Sequence, residues 1–525
     1  MTYKHASAPS SGRALAASIG KNTIFGVAGN VVHVAARIVV VPVVIQHLGL
    51  GGYGIWAVLM TIAGYMTLGK AGIGSAFQKY VAEATGTGDF DRASRLLSTG
   101  TAAVLLISIV ILVPLAIFSH SLAIAVGVPK VFLPAASKAI LLMAFAAVLA
   151  NVSQTYQSIL TGAHRIDLRE KIGFVLEPLN ALATIAVLYL GYGLLAICAV
   201  FCAYEVACGI LWYLFAPRVL PNIHLSPQYV SRSVIKELVR FGGSYQLLNM
   251  FELLYAAILP IAILKFFGAN DAGVYALAAR LVSVATLIQG SYLQAILSGG
   301  SLVYASGSHE QTSAFIEKSF KVMAAISIIP LSFIALYGTK IAWIWTGTTD
   351  PLLRETVWLL CAFSVFRSLC ALCRVLYRVS GGAIMDNAQL IVALAVAFIV
   401  APLGTRIGFF GMVGGVMVLG QFLGLILMCV TLATRLKGFN LRVLAPDFAK
   451  FVLATAVILG ASVAASYLGL PWEINPRILE TIRLLTAAVI GLCVAGPALL
   501  FTGSISRSEA RMVLNTVWRR SASPA

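Results

Sequence analysis

Apolar runs long enough to cross a lipid bilayer recur along almost the whole chain. Of its 525 residues only 11% are charged and 60% are hydrophobic, whereas soluble proteins carry about 25% charged residues. So few polar groups cannot cover a water-facing surface. A helix spanning the hydrocarbon core needs about 20 apolar residues. The runs predict fourteen such helices, the first over 22–47 and the last over 478–502. No short alternating segments suggest a membrane β-barrel. The fold class expected is therefore an all-α polytopic membrane protein.

The chain also repeats itself. Gly49, Gly54, Trp56 and Ala57 return as Gly268, Gly273, Tyr275 and Ala276, each 219 positions later and without a gap. The same offset relates Asn30 to Asn249 and His33 to Glu252. Two related halves are expected: a six-helix lobe over 22–217, a cytoplasmic linker over 218–237 and a second six-helix lobe over 238–436. Two additional helices fill 437–503, and tails occupy 1–21 and 504–525. Duplicated bundles of this kind are common among transporters, which bind substrate between their repeats.

The formal net charge is +18. In a soluble protein that would suggest nucleic acid, but no nucleic-acid motif is present and the cations flank apolar runs. They gather in the two tails and in alternate loops, with clusters at Arg165–Lys171, Arg218–Lys236 and Arg435–Arg442. The positive-inside bias then places both termini in the cytoplasm. The eight cysteines all lie inside apolar runs. Cys370 and Cys373 have metal-like spacing but no second pair, so they read as packing residues. No cofactor is implied.

Ionisable residues within spans are costly and tend to face a cavity or a partner. Asn30, His33 and Arg37 share one face of the first helix, which fits either a wet interior or helix-to-helix hydrogen bonding. Glu252 takes the repeat position of His33, so these two titratable groups suggest a proton-coupling pair or a structural contact. Arg367, Arg374 and Arg378 form a row on the tenth helix. Arg367 lies near mid-span, too deep to reach water along its own stem, and a guanidinium there suits a pyrophosphate. Lys70 sits in Gly69-Lys70-Ala71-Gly72-Ile73-Gly74, which reads either as an unwound, cavity-lining stretch or as close helix packing. Arg280 follows the second echo. Glu177 and Glu205 are deep acids that no spacing pairs with anything. The anion-contact set is thus Arg37, Lys70, Arg280 and Arg367. There is no phosphate-binding Gly-Lys-Ser/Thr loop for ATP and no large polar loop to hold an active site, so an enzyme is not expected.

The segments around Leu48–Ala57, Leu68–Gly74 and Glu83–Asp89, with Gly268, Gly273, Tyr275 and Arg280 in the second half, resemble the polysaccharide-transport flippases of the multidrug/oligosaccharidyl-lipid/polysaccharide exporter superfamily. The likeness spans most of residues 20–435. Lys70 departs from it, since members often carry an acid there. The resemblance implies two six-helix lobes around a cavity open alternately to each side, and a C-terminal helix pair in fourteen-helix members. It implies an undecaprenyl-pyrophosphate-linked O-antigen or exopolysaccharide repeat unit moved from the cytoplasmic to the periplasmic leaflet of a bacterial inner membrane. It also implies coupling to a proton or sodium ion, and partnership with membrane lipids, glycosyltransferases and a polymerase. Rival readings are a peptidoglycan-precursor flippase and a drug or cation antiporter of the same superfamily.

Overall fold

A computed structural model describes residues 12–66, 73–163, 165–305, 309–380, 388–435, 441–466 and 475–503. All of the longer elements are helices. Among the described residues, nine helices are long and apolar enough to cross a membrane, or ten if one bent pair counts as a single span. Where they are described, the fourteen sequence windows fall mainly on helix, with turns at several window ends and at Thr286 between α8 and α9. The protein is an all-α polytopic membrane protein.

The chain divides into two compact units, Met1–Ala276 and Leu277–Ala525. The first holds α1 (Gly12–Met66), α2 (Ile73–Thr87), α3 (Phe90–Ala125), α4 (Leu133–Gly162), α5 (Ile166–Tyr189), α6 (Leu194–Val219), α7 (Arg232–Phe266) and the start of α8 (Ala269–Ala285). Gly49 breaks α1 with φ 69° and ψ 170°, and Gly268 ends α7 with φ 96°. These are repeat-related positions. Each turns the chain where a Cβ would be strained.

In the first unit α4 is the central post, packed on α1, α2, α3, α5 and α6. Its buried face is built from small residues, including Ala136, Ala139, Ala146, Ala147 and Ala150. Lipid tails are as apolar as leucine, so close approach of small residues supplies the packing that water exclusion supplies elsewhere. Buried polar bonds reinforce it. Thr101 and Thr155 meet at 2.7 Å, and Asn151 donates to Ser108 at 3.0 Å.

The Glu83–Leu97 stretch, with Gly86, Gly88, Asp89, Asp91, Arg92 and Arg95, reads in sequence as a cytoplasmic piece resembling a short interfacial helix after a turn, but it does not make a separate element. α2 runs to Thr87, Gly88 turns the chain at φ 79°, and Asp89 caps α3 by accepting from Arg92 N at 3.0 Å. With that cap in place the residues after Asp89 become the first turns of one 36-residue helix.

The 220–231 connection is sewn to α3. Ser94 Oγ accepts from His224 N at 3.0 Å, Ser98 Oγ from Ser226 N at 3.2 Å, and Thr99 Oγ1 from Ser231 N at 2.9 Å. All three hydroxyl residues are buried. They satisfy backbone donors that would otherwise lack partners.

The second unit contains the rest of α8, α9 (Leu287–Ala305), α10 (His309–Thr346), α11 (Leu352–Val379), α12 (Ala388–Val400), α13 (Gly404–Val413), α14 (Gly420–Arg435), α15 (Leu441–Ser466) and α16 (Pro476–Phe501). α8 and α9 are bent by 47° at their junction. A π-helical stretch, Gly414–Leu419, joins α13 to α14. The core here is one face of α11, with Leu372, Cys373 and Tyr377 fully buried beside Met323 of α10 and Met428 and Leu432 of α14. The α15–α16 pair is closed by Ser462, whose hydroxyl donates to Ala487 O at 3.0 Å. It docks on α10 through Ile329 and Ile458, and through Glu480, which accepts from Lys340 at 3.2 Å and Arg483 at 2.9 Å.

Candidate functional site

In the first unit α1 and α5 meet along a polar seam. On α1, Gly29, His33 and Arg37 follow one another at successive turns and share a face. On α5, Glu170 and Glu177 are two turns apart and also share a face. Gly29 is what lets α5 come close, because a Cβ there would lie 1.9 Å from Glu170 Oε2. Arg169 bonds Glu170.

One pitch further on, His33 Nδ1 lies 2.6 Å from Glu177 Oε1. The Tyr204 hydroxyl of α6 donates to the same oxygen at 2.8 Å. The Glu177 side chain is only 15% exposed, and the Arg37 guanidinium is near enough to act on it electrostatically. Pro178 follows directly and removes one helical hydrogen bond beside the carboxylate. Asn180, one turn beyond, has a buried Oδ1 with no hydrogen-bond partner among the described residues. A carboxylate held by an imidazole and a phenol can take up and release a proton without leaving its place.

The second unit presents the row on α11. Arg367 and Arg378 are exposed and Arg374 is half-buried. Arg367 stands near the centre of α11, with its guanidinium 5.9 Å from the centroid of the Phe363 ring. Among the described residues no carboxylate pairs with it. Its neighbours hold the helix from behind. Ser368 is buried and donates to Ser364 O at 2.7 Å, and its Oγ also lies 2.5 Å from Gln289 Oε1 of α9. α11 therefore turns a packed apolar face one way and its arginine row the other.

Of the other predicted residues, Arg280 is half-buried on α8 and Glu252 is half-buried on α7. Lys70 lies outside the described residues, as do the side chains of Asn30 and Asn249. The structure brings His33 and Arg37 together with Glu177, which sequence spacing left unpaired. Tyr204 was missed altogether. Its only signal was a neighbouring deep acid, Glu205, and no periodicity within one helix reports a partner on another.

The fold is similar to that of several solved membrane proteins. The lipid II flippase MurJ in an inward closed conformation superposes with TM-score 0.67 at 12% identity, over 91% of this chain and 99% of that one. An inward-facing multidrug resistance MATE family transporter of the MOP superfamily gives 0.64 at 15% identity, over 77% and 100%. A MOP superfamily transporter from Pyrococcus furiosus, described as having a binding pocket of reverse polarity, gives 0.56 at 16%, over 79% and 93%. No curated protein sequence matches the chain. These likenesses define the fold, a polytopic bundle of helices like that of these solved membrane proteins. Residues 19–297 match the family described as polysaccharide biosynthesis protein, which is more than half the chain, and the protein belongs to that family.

Proposed function

We propose that the protein is a flippase that moves an undecaprenyl-pyrophosphate-linked oligosaccharide from the cytoplasmic to the periplasmic leaflet of a bacterial inner membrane by alternating access. It is a transporter and not an enzyme. The observation that carries this reading is Arg367, an exposed guanidinium at the middle of an apolar helix with no carboxylate among the described residues to neutralise it. A pyrophosphate cannot enter hydrocarbon unaided, and an unpaired guanidinium offers it a bidentate partner. Arg37, Lys70 and Arg280 complete the proposed anion-contact set. The family, named for polysaccharide biosynthesis, supplies the sugar.

His33 is the proposed coupling residue. Glu177 is its bonded carboxylate, and Glu252 is the acid at its repeat position. Protonation of the His33–Glu177 pair weakens its hold on Arg37, which links ion uptake to the cationic path. A proton fits an imidazole partner better than sodium does.

The test is a strain lacking its own copy of the gene. Arg367→Ala should abolish polymer export with normal protein abundance, whereas unchanged export from both Arg367→Ala and Arg37→Ala would remove the reading. A second reading, a peptidoglycan-precursor flippase, draws on the likeness to MurJ over nearly the full chain. Rescue of a strain depleted of its essential precursor flippase would favour it.

A further inference from the structure

In the second unit, the end of α10 and the start of α16 are joined by charge. Lys340 and Glu480 meet at 3.2 Å, and Arg483, one turn along α16, bonds the other oxygen of Glu480 at 2.9 Å. One turn beyond Lys340, the Arg477 guanidinium lies 5.9 Å from the centroid of the Trp343 ring. A further turn brings it to Gly347, where an added Cβ would stand 2.8 Å from Arg477 Nη2. Three cations thus surround one carboxylate. Arg477 is exposed and forms no ion pair among the described residues. Arg483 bonds Glu480 through Nη1, and its Nε is buried without a hydrogen-bond partner among the described residues. The first turn of α16 adds the positive end of a helix dipole. With the termini in the cytoplasm, as the distribution of cations predicts, this is the outer face of the membrane. The positive-inside bias disfavours cations there, so topology alone does not account for the cluster.

We propose that this cluster binds an anionic glycerophospholipid of the surrounding bilayer. Its excess of positive charge suits a headgroup with a net negative charge, and it would repel the amine of a zwitterionic one. Lys340 and Arg477 keep N–H donors free for phosphate oxygens, in charge-assisted bonds. Arg483 Nε is a further donor that a group entering between the helices would satisfy. Trp343 supplies the indole ring that favours the boundary between lipid and water. Beside Arg477 begins an outward stripe of α16, with Ile478, Leu485 and Val489 all exposed and apolar, along which acyl chains can lie. A free phosphate would gain nothing from that stripe, so the occupant is a lipid. Bound there, it ties the C-terminal helix pair to α10 by a contact that the protein alone does not make. The site uses no residue of the arginine row on α11 and does not rest on the transport reading.

Phosphatidylglycerol added to the purified full chain in detergent should stay bound in native mass spectrometry, and phosphatidylethanolamine with the same acyl chains should bind far more weakly. Each basic residue beside an anionic headgroup is worth about fivefold in binding, so Lys340→Gln with Arg477→Gln should weaken the tightest site about 25-fold. Should that variant fail to fold, Arg477→Gln alone leaves the Lys340–Glu480–Arg483 bonds intact and should show the loss of about fivefold. In nanodiscs, a photoactivatable phosphatidylglycerol should cross-link to peptides of α10 and α16 in the parent and lose those cross-links in the variant. Equal retention of the two lipids, unchanged affinity in the variants, or cross-links confined to other helices overturns the site. Displacement by inorganic pyrophosphate at the concentration of the lipid also overturns it, since the cluster would then be a simple anion site.

Discussion

His33 Nδ1 and Glu177 Oε1, 144 residues apart in sequence, stand 2.6 Å apart, so that α1 and α5 are joined by a bond that one proton can rewrite. Tyr204 approaches the same oxygen from α6. Three helices thus meet on one carboxylate.

This arrangement predicts strong coupling between the two residues. His33→Ala, Glu177→Gln and the double variant form a cycle whose interaction energy should be about 1–3 kcal/mol in thermal stability. All three should cut export. If the singles add without interaction, the pair is not formed in the membrane.

Arg367 should separate charge from shape. Arg367→Lys keeps the cation but loses the planar fork, and it should retain only part of the export that Arg367→Ala loses entirely. Neither should shift the melting temperature by much, because the side chain is exposed and pairs with no acid among the described residues. A marked fall in melting temperature for Arg367→Lys would make the residue structural.

The hydroxyl ladder on α3 predicts a release. Each neutral hydrogen bond contributes about 0.5–1.5 kcal/mol, so Ser94→Ala, Ser98→Ala and Thr99→Val together should free the 220–231 connection. Inside-out vesicles carrying the triple variant should be cleaved there by trypsin at Arg218 or Arg232, at protease levels that leave the parent intact.

Two left-handed glycines should differ in their response to alanine. Gly191 has φ 83° and open space around it, whereas Gly127 has φ 86° and would drive a Cβ to 2.6 Å from Lys265 Cα. Gly191→Ala should cost about 1–2 kcal/mol, the backbone strain alone. Gly127→Ala must also shift the end of α7 and should lower the melting temperature distinctly further.

The helices were legible because each carries a long apolar run, and the breaks at Gly49 and Gly268 were foreshadowed by the echo. The arginine row on α11 was legible for the same reason, since all its members ride one helix and a single period relates them. Glu177 and Tyr204 were not. Their roles arise from which helices pack together, and Gly29, the residue that admits α5, reads in sequence like any other glycine. The interfacial helix expected after Glu83 failed because a polar first turn at a capped N-terminus resembles a separate amphipathic piece. Gly54 and Gly273 meet, since a Cβ on Gly54 would lie 2.4 Å from Gly273 N and one on Gly273 would lie 2.0 Å from Leu50 O, the repeat partner of Ala269, which Gly54 meets in turn; the offset pairs the residues, but only the backbone path shows that they touch.

That self-matching contact carries an ancestral consequence. Two identical half-length chains could make it unaided, one glycine pressed against its own twin across a dimer axis. Fusing the halves into a single polypeptide would leave the meeting point unchanged while freeing each side to diverge. The seam by which a doubled gene was once two subunits would then survive as the pair of residues least able to change.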